Sequence, residues 1–435
     1  MWKRTTAALC LIVLVYSGVL LSFVRAQERE GHSADGKGQP EVITIWYWDD
    51  SMVEIFDRYV ADTGKNVRLN YINVSISDYA RQLKSAIDIS NELPDVCLLQ
   101  DYYAGNFLDI PVWEDLSREP YGLDLSLFPE SCAPYVRSES GRLVAVPYNL
   151  DAAGLAYRAG GMKEVFGVDT PGEAMALFPT WDAVIERGLE QKAAGKEFML
   201  FNCLGDVGSM MFNQTDQPYV RNRRMVRPER FLQYFRDLSR LYRTGLVGST
   251  SQVSMEWSED YRDESYIMAP WSLWISQYEA FSVNSKEDWV LISPPGGSFK
   301  WGGLVCCIPS SSTHKEAAWE FVHYLTQTGE GAEANREAKC RQLIYYQYQN
   351  GDPSYKHLNI QGFGSQDVGG YFTDCLMPGR YERPLSPYDL ELDEIYHLAV
   401  DAIIHQPDLT PEEIYGHFLE MLETAAPGLV IPQAP

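Results

Sequence analysis

The chain has 435 residues, 45% of them apolar and 22% charged, the balance of a globular protein too long for one compact core. Its 60 Asp and Glu outweigh 36 Lys and Arg, for a formal charge of -24. So acidic a body argues against nucleic acid and anionic membrane surfaces as partners.

Residues 1–26 have the pattern of an export signal: Lys3 and Arg4, an apolar run from Ala7 to Val24, then Val24-Arg25-Ala26 before Gln27. The expected location is periplasmic or extracellular, at the outer face of the cytoplasmic membrane. The apolar run approaches bilayer-spanning length, so an uncleaved anchor is the alternative. Cys10 lies inside that run, far from the cleavage point, and is not read as a lipid-attachment residue. Residues 27–40, QEREGHSADGKGQP, have the polar, glycine-rich composition of a flexible tether. Beyond the leader stand Cys97, Cys132, Cys203, Cys306, Cys307, Cys340 and Cys375, an odd and scattered set that makes no disulfide framework. Cys97, Cys306 and Cys307 lie in apolar runs and are expected as reduced core residues. Neither CxxC nor HExxH occurs, so no metal and no cofactor is expected.

From Ile43 to Asp50 the chain reads ITIWYWDD, a β-branched strand that opens onto indole, phenol and carboxylate. Met52, Ile55, Phe56, Tyr59 and Val60 then stripe a helix that stops at Thr63-Gly64. Val67 to Ile72 is a second strand, a helix follows from about Ser77, and Val96 to Leu99 is a third strand ending at Asp101 and Tyr102. This β-α-β-α-β order predicts an α/β fold with a largely parallel sheet, right-handed crossovers and Asp101 on the same edge as Trp48, Asp49 and Asp50. Ligands of open α/β sheets bind beyond such strand ends. Carboxylates beside flat rings suit a polyhydroxylated ligand, whose hydroxyls donate and whose C–H faces stack.

Further on, GRLVAVPYNLDAAGLAYR (Gly141 to Arg158) reads as two short strands broken at Asn149 and Asp151, a crossover between compact units. Thr180 opens one helix, and Phe231, Tyr234, Phe235, Leu238 and Leu241 stripe another. The run Arg221, Arg223, Arg224, Arg227 and Arg230 is expected as solvated surface rather than a docking patch. YIMAPWSLW carries Trp271 and Trp274, and Lys300 to Thr326 returns through Trp301, Gly302 and Gly303 to a strand from Leu304 to Ile308. Thr313 with Glu316 predicts a capping box, and Thr410-Pro411-Glu412-Glu413 another helix start. Trp113, Trp181 and Trp319 sit in helical patterns and are expected in the core.

From about Glu41 to its end the chain resembles the extracellular solute-binding proteins, family 1, of ABC importers, the group of maltose- and oligosaccharide-binding proteins. ITIW, YVADTGKNVRLNY, PDVCLLQD, GRLVAVPYN, TWD, MAPWSLW and GGLVCCIPSSSTHKEAAWEFVHYLT carry the resemblance in collinear order. It implies a two-lobed periplasmic-binding-protein (type II) fold, its discontinuous lobes joined by a hinge: residues 41–149 plus 302–345, and 150–301 plus 346–435. It implies ligand contacts at Trp48, Asp49, Asp50, Asp101, Asn149, Asp151, Trp271, Trp301 and Gly302. Tyr102, Trp274 and Tyr371 join them on chemistry alone. The implied partners are a carbohydrate and a membrane permease, for a monomer that is not an enzyme and binds no nucleic acid. Cys306-Cys307 departs from the family strand, and the residues before Met268 lack its small Gly-Ala pattern.

Two other classes stay open on the residues. Paired carboxylates beside indoles also describe a secreted glycoside hydrolase, and a sensor ectodomain with a cationic ligand in an aromatic cage would use the same groups.

Overall fold

The computed structural model describes residues 39–432 apart from 91, 253, 261–265, 278–288, 339–342, 345–350 and 352–359; the segments expected as export signal and tether lie outside the described residues but for 39 and 40, and so does Cys340. β1 (Glu41–Tyr47) buries Ile43, Ile45 and Tyr47 and leaves the residues between them partly exposed, the period of two that a half-covered strand imposes. The helix Ser51–Thr63 buries Met52, Ile55, Phe56 and Tyr59 and ends at Gly64, whose left-handed φ of 63° lets its N–H reach the Val60 carbonyl. β2 (Val67–Asn73) lies parallel to β1, with Ile43 opposite Leu69. The helix Ile76–Ser85 leads on to β3 (Cys97–Gln100), wholly buried, which borders β1 through a parallel bridge from Ile45 to Val96.

The chain continues through β4 (Val146–Leu150), β5 (Gly154–Arg158), a small hairpin of β6 (Val220–Arg221) and β7 (Arg224–Met225), β8 (Met268–Trp271), β9 (Trp289–Ile292), β10 (Leu304–Cys307) and β11 (Leu343–Ile344). β10 inserts between β3 and β4, antiparallel to both, and β11 pairs with the far side of β4. The first sheet thus runs β2-β1-β3-β10-β4-β11 in space. Its first three strands are parallel, as the βαβαβ pattern predicts. β10 breaks that direction because it enters directly from the second sheet, without a crossover helix.

The second sheet is antiparallel, with β5 between β8 and β9, and bridges from Met199 to Tyr266 and Phe201 to Val247 extend it past β8. One of its faces meets the helices Leu204–Asn213, Glu229–Arg243, Asp389–His405 and Pro411–Ala425, where Phe212, Phe231, Phe235, Tyr396 and Phe418 pack together. Phe231, Phe235, Leu238 and Leu241 form the inner stripe of Glu229–Arg243, and Tyr234 stays half-buried at its margin. Arg221, Arg223, Arg224 and Arg227 are exposed on the hairpin, the solvated surface expected of them, and Arg230 is half-buried.

Two helix starts behave differently. Thr410 and Glu413 close a capping box ahead of Pro411–Ala425. The box predicted at Thr313 and Glu316 does not form: the helix begins at Lys315 with His314 at its N-cap and no side-chain cap. The Ser312 hydroxyl instead accepts the His314 N–H at 3.0 Å, a local turn that moves the start one residue downstream.

Candidate functional site

Because β1 and β3 are parallel neighbours, Trp48 to Asp50 and Asp101 to Tyr102 leave the sheet at the same edge. β4 delivers Asn149 and then Asp151 beside them, and the return to β10 passes the same place as Lys300 to Gly303. The Asp101 N–H donates to the Gly303 carbonyl at 2.9 Å. Gly303 has φ 118°, and a Cβ there would sit 2.8 Å from Asp101 Oδ2; Gly302 has φ 102°, and a Cβ there would sit 3.0 Å from Asp151 Oδ2. Both positions need a left-handed backbone and no side chain, so the chain can run against two carboxyl groups.

Asp101, Asn149 and Asp151 are buried. Lys300 Nζ lies 2.5 Å from Asp101 Oδ2, and the same ammonium sits 3.4 Å from the centre of the Tyr135 ring. Burial pushes the Asp101 carboxyl above its ordinary range, and the Lys300 charge pulls it part of the way back. Asp151 is pushed up further, by burial first and then by the neighbouring Asp101 charge. A second pair, Arg380 with Glu382, adds its field: Arg380 acts on Asp101, and Glu382 on Lys300. Lys300 is thus paired with Asp101 and Arg380 with Glu382, while Asp151 has no ion pair among the described residues.

At the β1 edge, Trp48 stacks on Tyr47 with ring centres 4.2 Å apart and meets Tyr79 edge-on at 5.8 Å. Asp49 turns its carboxylate back to accept the Ser51 N–H at 2.8 Å and the Ser51 hydroxyl, while Tyr71 donates to the Asp49 carbonyl at 2.7 Å. Asp50 is exposed. Tyr102 stands edge-on to Tyr103 at 4.8 Å, and the charges of Asp393 and Glu394 act on its phenol. It therefore looks across to the helix Asp389–His405. The start of that helix is tied to the first sheet: Asn106 donates to Glu391 at 2.7 Å and to the Pro387 carbonyl at 3.1 Å.

Trp274 and Trp301 form an aromatic corner, 4.8 Å between centres and 66° between planes, and Trp274 Nε1 donates to the Trp301 carbonyl at 2.9 Å. Trp271, an implied ligand contact, is not open to a cleft. It is the last residue of β8, fully buried, with Phe363 edge-on at 5.0 Å. Tyr371 is engaged elsewhere, its hydroxyl accepting the Ser293 N–H at 2.9 Å beside Met175. The structure thus gathers Asp101, Asn149, Asp151 and Gly302 around Lys300, with Trp301 the next residue in the chain and Trp274 packed on it. Trp113 is wholly buried, as expected of a core residue; Trp181 and Trp319 are half-buried against the cores.

Sequence reasoning misses Lys300, Tyr135, Arg380 and Trp257. Lys300 directly precedes Trp301-Gly302, so its place in the motif was a usable signal. A lysine is nonetheless expected in water unless a partner is known.

A profile of the family described as bacterial extracellular solute-binding protein matches residues 54–336. The chain belongs to that family. No curated protein sequence matches this solute-binding protein. Among solved structures, a family 1 extracellular solute-binding protein superposes with a TM-score of 0.76 at 17% identity, covering 89% of this chain and 100% of that one. The ABC transporter associated binding protein of B. animalis subsp. lactis in complex with β-1,6-galactobiose gives 0.71 at 17%, covering 91% and 100%. The GacH receptor of Streptomyces glaucescens, solved unliganded and with acarbose, gives 0.70 at 15%, covering 89% and 98%. These likenesses establish the two-lobed periplasmic-binding-protein fold for this solute-binding protein. Among its described residues no helix is long and apolar enough to cross a membrane.

Proposed function

We propose that this solute-binding protein captures a neutral carbohydrate in the gap between its lobes and delivers it, as a monomer, to the permease of an ABC importer. The lobes in this reading are residues 41–149 with 302–345 and residues 150–301 with 346–435. The proposed ligand contacts are Trp48, Asp49, Asp50, Asp101, Tyr102, Asn149, Asp151, Trp274, Trp301 and Gly302; Trp271, buried against Phe363, and Tyr371, bonded to Ser293, are left out. Ligand then favours the closed state only through contacts that closure improves.

The supporting observation is the Lys300 ammonium on Asp101 and over Tyr135. A cationic ligand would need those groups, and the chain already fills them with its own cation. The same pairing occupies Asp101, one of the two carboxyl groups a hydrolase would use. With Asp101 paired, Asp151 pushed toward its neutral form by burial and indoles nearby, the chemistry on offer is hydroxyl recognition and stacking. Similar folds have been solved with galactobiose and acarbose.

Thermal denaturation with maltose, β-1,6-galactobiose, spermidine and a mixed peptide library tests the reading, since a ligand of the folded state alone raises Tm. A rise with a disaccharide and none with spermidine is expected. A rise with the amine alone, or new reducing ends in the disaccharide sample, would overturn it. The mass of the exported chain tells whether it begins at Gln27.

A further inference from the structure

Behind the Trp274 and Trp301 corner lies a third indole, Trp257, on the short helix Met255–Asp260. It is nearly parallel to Trp274, 6.2 Å away with 23° between planes, and edge-on to Trp301 at 6.5 Å. Trp257 is only 3% exposed, so it backs the corner rather than faces solvent. Its Nε1–H donates to Asp206 Oδ2 at 2.8 Å, and the other carboxylate oxygen accepts from Gln252 Nε2 at 3.0 Å. Gln252 in turn contacts Ser209 one turn along the helix Leu204–Asn213. Beside the carboxylate is a cavity of about 10 Å³, lined by Asn202, Cys203 and Tyr266 among others, enough for about one water.

A carboxylate in the apolar interior is costly unless its hydrogen bonds are placed for it. A serine or asparagine would accept an indole N–H at less expense, so a purely structural account leaves this acid unexplained. We propose that Asp206 is a positioning residue of the ligand site: through Trp257 it fixes the planes of Trp274 and Trp301, and so sets the surface on which the ligand stacks. This rests on the carbohydrate reading above for the identity of the ligand, but not for the coupling itself.

Burial raises Asp206 to about 7, against hydrogen bonds from Trp257 and Gln252 that lower it. Its titratable neighbours are the Cys203 thiol, Tyr266 across the cavity and Tyr396 on the helix packed behind, which donates to the Gly208 carbonyl. Burial pushes the Cys203 thiol well up and Tyr396 likewise, so both stay neutral near pH 7. The charge on Asp206 therefore changes in a range where its surroundings do not.

The experiment uses the full mature chain, with indole N–H resonances assigned by Trp→Phe variants. In the wild type the Trp257 resonance should titrate with a midpoint near 7, and in Asp206→Asn it should be flat. In Asp206→Ala the Trp274 and Trp301 resonances should shift, and Asp206→Asn should restore them because its amide oxygen still accepts from Trp257. Maltose or β-1,6-galactobiose, whichever binds the wild type, should bind Asp206→Ala and Trp257→Phe on the order of tenfold more weakly, and the double variant no worse than either. A flat Trp257 resonance in the wild type, or unmoved Trp274 and Trp301 resonances in Asp206→Ala, overturns the proposal. If neither sugar binds, the carbohydrate reading falls, and the resonances alone decide the role of Asp206.

Discussion

Lys300 and Asp101 meet at 2.5 Å although one enters from the second sheet and the other ends a strand of the first. Neither has water to fall back on, since their side chains are only 12% and 6% exposed. Removing one partner strands the other charge, whereas removing both leaves a neutral gap. Lys300→Met should therefore cost about 3–5 kcal/mol of unfolding free energy, and the double variant with Asp101→Asn clearly less than the single change. Urea titrations of the three proteins, with a common slope, check this.

The paired glycines give a second prediction. Gly303→Ala adds a Cβ 2.8 Å from Asp101 Oδ2 at a φ of 118°, where the nearest atom belongs to a buried, ion-paired carboxylate. A loss of about 1–3 kcal/mol is expected from the backbone conformation, with the contact adding to it. Gly64→Ala is the control: its φ is also positive, at 63°, but nothing lies within 4 Å of the added Cβ. Thermal denaturation should rank Gly303→Ala well below Gly64→Ala.

Asp206 makes stability depend on pH in a direction set by its raised pKa. The folded state holds the proton up to about 7, the unfolded chain only to about 3.8. Its contribution is thus full below the unfolded value and is lost as pH rises through the folded one. Between about pH 5 and pH 8 the wild type should lose on the order of 2–3 kcal/mol relative to Asp206→Asn. Chemical denaturation of both proteins at the two pH values measures the difference directly.

Thiol reactivity follows from burial. Cys97, Cys306 and Cys307 are 0% exposed with thiols pushed up by burial, while Cys375 is exposed. Brief iodoacetamide treatment of the native protein should label Cys375 and spare those three, with all four labelled after unfolding. Peptide mass mapping separates the sites.

Trp113 is a wholly buried indole whose Nε1–H donates to the Phe107 carbonyl at 2.7 Å. Trp113→Ala should cost about 3–5 kcal/mol, with disaccharide affinity unchanged in the fraction that remains folded. Calorimetric titration beside a melting curve distinguishes the two effects.

What could be read from the residues was mostly local. The alternation in β1, the stripe of Ser51–Thr63 and the Thr410 cap each depend on neighbours within a few positions, and each forms as the pattern implies. Thr313 failed by one residue because a serine hydroxyl competed for the same turn. Trp271 could not be placed from its flanks: whether it ends a strand depends on Gly154, its partner in β5. Lys300 was hidden for the same reason, since its burial follows from Asp101 and Tyr135, both far away in the chain. At the strand ends chemistry was legible; how those ends are wired together was not.

The position of β10 also constrains when the chain can fold. A strand made of residues 304–307 fills the slot between β3 and β4, so the first sheet has an open seam until synthesis has passed that point. Before then Val96 to Gln100 and Val146 to Leu150 lack the neighbour that joins them. Only residues 304–307 can join β3 to β4, and β11 is then left to complete the outer edge.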